Sequence, residues 1–394
     1  MVRRGLRTQR NRSAGGRGAQ RLIIPSQRRL HPPMRAQQAE PSAAPTNWHQ
    51  RVNSSATALT ALAATAALLF TGLSAKQAQD ELSNRSKELK ITQEGHVTER
   101  FTAAVEQLGD NSVDVQLGGV YALQRIMQDS SRDQPAIVNV LTAYVLVHGK
   151  ERMPARFDAG TAWRPATHVQ AALSVLANRN MHLDGTVKMD MHGASIKGAN
   201  LERGHLSGVD FNDADLTEAD LGHADLRKAE FRRADLSGAS FSGADLRGAS
   251  LWGAKTKETD FQDADLRGTL LGWTDLSGAE LEGMDLSKGS LHISKLSHAN
   301  LRDAKLRSVD MVMANLKEAD LANSDLSLAR MQGANFARAN LRGANLAGAE
   351  LGGADMRTAH GLTVEQVLVA RLQSNTRLPS KIARDSRVQK RMKK

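Results

Sequence analysis

The 394-residue chain contains no cysteine. Disulfides, thiolate metal sites and cysteine nucleophiles are therefore excluded, while the redox compartment stays open. Aromatic residues reach only 4%. Ala, Gly and Leu dominate instead, as a thin, regularly filled core demands. No GxSxG elbow, phosphate-cradling GxxxxGKS loop, HExxH pair or glycine fingerprint after a strand occurs. The twelve His are scattered; His182 and His192 lie ten apart and read as solvated surface residues. No catalytic residue, cofactor or metal is expected. Acidic residues are scarce at both ends: residues 1–53 hold 11 Arg against one acid, and residues 357–394 hold 10 bases against two acids. Residues 191–356 hold 19 bases and 25 acids. The basic balance of +11 thus belongs to the termini.

What is present is a period of five. From Ile196 to Met356 an apolar residue recurs at every fifth position, giving 33 centres, of which 32 are Leu, Phe, Met or Ile. Thr256 is the exception. Two residues before the centre stands Ala in 23 of the 33 repeats, and directly before it Asp or Asn in 20. The run ANFARANLRGANLAGAELGGADM, ending at Met356, shows the pattern undiluted. Five fits neither a 3.6-residue helix nor strand alternation. It fits a solenoid whose units bury their apolar side chains only by stacking. A second period of 20 is visible: Phe211 and Phe231, Phe241 and Phe261, Met311 and Met331, and an all-Leu column from Leu206 to Leu346. Like residues then stack on like, and the small residue before each centre lets the coil close. The other three positions of each repeat point outward.

These residues resemble the pentapeptide-repeat family, A(D/N)LXX. The resemblance implies a mainly β fold, a right-handed four-sided β-helix with 20 residues per coil and roughly eight coils. Members do unrelated things, so the resemblance implies no single activity. Some are acidic rods that mimic DNA and inhibit DNA gyrase. The stretches Gly95–Phe101, Asp114–Ser130 and Val169–Leu176 resemble the helical region preceding the repeats in actinobacterial membrane-linked members, departing from that pattern at His96 and Gln116.

The expected organisation is a disordered Arg-rich tail (1–53), a transmembrane helix (54–75), a helical linker and N-terminal cap (76–180), the β-helix (181–360), a C-terminal helical cap (361–380) and a basic disordered tail (381–394). Ser54–Ala75 is 22 residues without charge, enough to span a bilayer; a buried or signal-like helix is the alternative. The first tail reads as a juxtamembrane segment, an extension upstream of a true start at Met34, or a transit peptide, and its Arg residues could touch nucleic acid or anionic lipid. The expected location is a bacterial cell membrane, single-pass. The N-terminal Arg cluster favours an inside N-terminus, Lys76, Arg85, Lys87 and Lys90 oppose it, and the rod is placed on the cytoplasmic side. Within the linker, Thr98 or an earlier Thr is expected to start an amphipathic helix that Gly109 closes. Val120, Leu123 and Met127 should line one helix, and Ile137, Val140, Leu141, Tyr144 and Val145 the next. Thr363 should cap the C-terminal helix.

Sorting outward positions by the 20-residue rule separates four faces. The face of Leu201 and Leu221 carries eight acids and three bases, and the all-Leu face seven bases and five acids. Arg227, Arg247 and Arg267 fall near Asp225, Asp245, Asp265 and Asp285, a self-compensating ladder. Asp215, Asp235 and Asp275 stack as the repeat's own signature, bonding local backbone or facing water, rather than as a catalytic array. The fourth face carries Trp273, Ile293 and Met313, each 20 apart, with Trp252, Leu270 and Val312 beside them. Outward apolar residues in a contiguous patch mark a contact surface. It is the candidate partner-binding face, for the chain's own helical domain, a second copy or another protein. The function expected is a non-enzymatic, membrane-anchored scaffold for protein–protein interaction. The alternative is a DNA mimic that binds gyrase or topoisomerase.

Overall fold

A computed structural model describes residues 48–151 and 163–393. The expectations for the Arg-rich tail, its Met34 start included, fall outside these residues up to position 47. The chain divides at Leu82 into two units.

The first described element is one helix, α1 (Trp48–Leu108, 61 residues). It runs through the expected break at residue 76 and through Thr98, whose hydroxyl donates to the Glu94 carbonyl at 2.9 Å as an interior helical threonine does. Gly109 follows its end, as expected. Among the described residues no helix is long and apolar enough to cross a membrane. This overturns the single-pass anchor at Ser54–Ala75 and the membrane location built on it. The physical reason is composition: eight of the 22 residues are Ala and seven are Ser or Thr. Methyl side chains bury little area, and hydroxyls cost free energy on leaving water.

Three helices follow: α2 (Val113–Asp129), α3 (Gln134–His148) and α4 (Thr167–Ala177). Val120, Leu123, Ile137, Leu141 and Val145 are fully buried, Met127 and Tyr144 nearly so, and Val140 partly. Gly119 is required where α2 crosses α1, because a Cβ there would stand 2.7 Å from the Ala104 carbonyl oxygen.

The repeats build the solenoid by a complete backbone account. Number each repeat −2, −1, 0, +1, +2 about its centre. The centre N–H donates to the −1 carbonyl of the next coil, as Leu216 does to Asp235 (2.8 Å). The +2 N–H donates to the +1 carbonyl of that coil, as Glu218 does to Ser237, and the −1 N–H donates back to the −2 carbonyl of the coil before, as Asp235 does to Ala214 (each 2.9 Å). The −2 N–H closes a turn onto the preceding centre, as Ala219 does onto Leu216 (3.0 Å). Only the +1 N–H lacks a backbone acceptor, and the −1 side chain supplies one: Asp220 Oδ1 accepts from Gly222 N (2.9 Å), and Asp210 Oδ1 from Asn212 N (2.8 Å). This is why the repeat asks for Asp or Asn there. Along most of the rod, parallel bridges pair a −1 residue with the one 20 later, such as Asp215 with Asp235, so one coil is four repeats. Ala and centre side chains fill the interior, and Phe211 stacks on Phe231 at 5.2 Å and Phe241 on Phe261 at 5.6 Å.

Both ends are closed. His205 N donates to the Ala177 carbonyl (2.7 Å), and Gln170 pairs with Asn200 through both amide atoms like a surrogate strand (2.7 and 2.9 Å). Buried Arg179 holds Asp184 at 2.9 Å beneath α4. Pairing of exposed edges is thereby blocked. At the other end Thr363 and Gln366 form a capping box at α5 (Val364–Leu368), as Thr363 predicts. Of residues 381–394, expected as a disordered tail, 381–383 instead lie in α6 (Ser380–Ala383) and 386–392 form α7 (Ser386–Met392). Val388 is fully buried and Ile382 nearly so, two apolar anchors hidden among the bases.

Candidate interaction face

The left-handed turn at +2 decides what each corner can display. That position has φ near +60° in every copy from Gly198 to Gly353, and Gly fills many of them. Trp273 (φ 59°), Ile293 (φ 57°) and Met313 (φ 59°) occupy it on three successive coils. Left-handed backbone disfavours any Cβ, and most of all a β-branched one. Ile293 therefore holds its place at a local cost.

The coil register brings the six predicted residues onto one face. Ser250 pairs with Leu270, Leu270 with Ser290 and Ser290 with Asp310, so Trp252, Trp273, Ile293 and Met313 sit on consecutive coils. Trp273 is 57% exposed and Met313 59%; Trp252 and Leu270 are each 38% exposed. Ile293 and Val312 are half-buried. Two glycines let the long side chains lie flat. A Cβ on Gly272 would stand 2.3 Å from the Trp252 ring, and one on Gly333 would stand 2.5 Å from Met313 Sδ. The Trp252 ring passes over Gly272 to stack on His292, with centroids 6.3 Å apart and planes 24° apart. Helices α2–α4 do not cover this face among the described residues: their contacts to Ser195, Asn200 and His205 lie at the first coils.

The all-Leu face contrasts with it. Arg227 bonds Asp225 at 2.7 Å and reaches Asp245 at 3.7 Å; Arg247 bonds Asp245 at 2.5 Å and reaches Asp265 at 3.5 Å; Arg267 closes onto Asp265. Hydrogen bonds from these Arg side chains hold the Asp225, Asp245 and Asp265 carboxyls below the usual range. The Asp215, Asp235 and Asp275 column is likewise spent internally: each accepts from the residue two on, and each has a Lys within 3.1 Å (Lys197, Lys255 and Lys295). His192 faces Asp213 at 3.8 Å.

One cluster escaped sequence reasoning. Tyr144 meets fully buried His168 at 2.6 Å, and Glu151 bridges His168 (3.0 Å) and His148 (2.7 Å). Burial raises the Tyr144 hydroxyl above its usual range and lowers His168. The group ties α3 to α4. No local pattern announces it, since its members come from separate elements.

A family model described as pentapeptide repeats matches residues 214–253, 257–292, 294–323 and 324–360, in eight copies. No curated protein matches. Among solved structures the chain is similar to HetL, a pentapeptide repeat protein involved in heterocyst differentiation regulation from Nostoc sp. strain PCC 7120. Identity is 29%, over 43% of this chain and 88% of that one, with a TM-score of 0.28. It is similar to alr5209, a pentapeptide repeat protein of Nostoc PCC 7120, at 34% identity over 25% of this chain and 79% of that one (TM-score 0.22). It is also similar to QnrB1, a plasmid-mediated fluoroquinolone resistance protein, at 19% identity over 36% and 74% (TM-score 0.27).

Proposed function

The chain belongs to the pentapeptide-repeat family, and on that premise we propose that it is a non-enzymatic scaffold whose β-helix, right-handed as the family's repeat implies, binds a protein through the Trp252–Met313 face. One observation carries this reading. Large apolar side chains occupy a left-handed corner on three successive coils where Gly would be cheaper, with Trp273 and Met313 more than half exposed and Ile293 half-buried. Strain and exposure kept together point to a use outside the fold. Buried aromatic anchors are the usual source of binding energy at protein interfaces.

The charge pattern favours this reading over DNA mimicry. A mimic needs a continuous negative field, and the ladder from Asp225 to Arg267 alternates sign within contact distance. The test is the double variant Trp273→Ser with Ile293→Ser, in the full chain. It should unfold with the same cooperativity as the parent while losing either its oligomeric state or its specific co-purifying protein. A variant that keeps both would remove the proposal.

A further inference from the structure

The inter-coil ladder has one interruption. From Met191 to Leu341 every centre donates to the next coil except Thr256, Phe261 and Leu266. The N–H groups of Glu258, Asp263, Asp275, Glu280 and Asp285 lose their inter-coil acceptors in the same place. The register calls for bridges Asp260–Glu280 and Asp265–Asp285, and neither forms. Those one coil earlier (Ser240–Asp260, Asp245–Asp265) and one coil later (Glu280–Asn300, Asp285–Lys305) are present. The Phe261–Leu281 face is thus unzipped between two consecutive coils, and its two neighbours are only loosened, since Lys255 and Asp275 still bridge and Gly268 N still donates to the Ser287 carbonyl (2.9 Å). On the fourth the coils stay joined, by Leu251 N to Leu270 O (2.7 Å) and Gly253 N to Gly272 O (2.9 Å). That fourth face is the one carrying the Trp stripe.

The sequence supplies causes. Met284 occupies a −2 corner between Ala264 and Ala304, where a longer side chain holds coils apart. Thr256 replaces an apolar centre, and its hydroxyl takes the Asp275 carbonyl at 2.7 Å, the acceptor its own N–H would use. Thr259 ties its coil backward, donating to the Leu236 carbonyl at 2.8 Å. The family match also stops at residue 253 and resumes at 257. Unpaired amides are costly in a dry interior, so the seam gains by admitting water. Thr259 and Ala279 are half-exposed, whereas most −2 alanines are sealed.

We propose that this seam is a hinge. The coils up to Leu270 and those from Leu271 on are two rigid halves, and they flex about the face that bears Trp252 and Trp273. The Trp252 indole, lying across Gly272 onto His292, is the staple over the hinge line. Resting on the scaffold reading, a protein seated on the stripe contacts both halves and so fixes the angle between them.

Amide hydrogen exchange on the full chain, alone and as Met284→Ala, tests the hinge without any partner. The amides of Phe261, Leu266, Glu280 and Asp285 should exchange at least about tenfold faster than those of Phe241, Leu246, Asn300 and Lys305. Leu271 and Trp273 should stay slow. Met284→Ala restores the small corner and should slow Leu266 and Asp285. Equal protection on both sides of the seam, or no response to Met284→Ala, would overturn the hinge. That failure would leave the scaffold reading standing. Conversely, fast exchange with no partner lost in the double Ser variant would keep the hinge and remove the scaffold.

Discussion

The all-Leu face and the Trp face share one backbone, one hydrogen-bond scheme and one core, yet their outward residues are opposite in character. On the first, Asp and Arg alternate from Asp225 to Arg267 and each of these charges has an opposite neighbour. On the second, Trp273 and Met313 stand more than half exposed with no apolar cover. The repeat fixes what points inward and leaves the outward positions free. A face that neutralises itself has little left to offer a partner, and a face that keeps strained apolar residues exposed has much.

The largest effect should come from breaking what the two faces share. Phe231 lies between Phe211 and Phe241 in the core, 5.2 and 5.7 Å from them. Phe231→Ala should cost about 3–5 kcal/mol, read by denaturant unfolding, without favouring either face. Ile293→Asn sharpens the contrast. It relieves left-handed strain and should stabilise the rod by about 1 kcal/mol, while partner recovery on the full chain falls. On the all-Leu face the sign is ordinary. Asp225→Ala removes the acceptor for Arg227 N and should cost about 1 kcal/mol, whereas Asp225→Asn keeps an acceptor and should cost less than about 0.5 kcal/mol, vanishing in high salt.

The smallest effect lies away from both faces, at His168. Its folded pKa is lowered, chiefly by burial, with Tyr144, Glu151 and His148 around it. The unfolded chain then binds the proton first. The stability that neutral His168 contributes is present above its ordinary value of about 6.5 and is lost as pH falls from there toward the lowered folded value. Thermal midpoints measured across that window should fall on the acid side, and His168→Gln should flatten the dependence.

Much of this was legible in the sequence because a solenoid repeats its instructions. The period of five placed every centre, and the period of 20 placed Trp273, Ile293 and Met313 on one face. What the period could not show was interaction between coils. Thr256 was visible as the one polar centre, but the unzipping around it depends on the distance between strands and on Met284 a coil later. Composition misled at Ser54–Ala75, where absence of charge concealed low hydropathy. It misled again at residues 381–394, where bases concealed the buried Ile382 and Val388. Gln170 as a surrogate strand and the Tyr144–His168–Glu151–His148 group are products of tertiary contact alone.

The most direct test is a photo-crosslinking residue placed at position 273 in the full chain within cells, with the same residue at position 262 as the control on another face. The account predicts a discrete protein adduct at 273, either with a second copy or with another protein, and none of that mass at 262. Adducts equally absent from both positions, or equally diffuse at both, would contradict it.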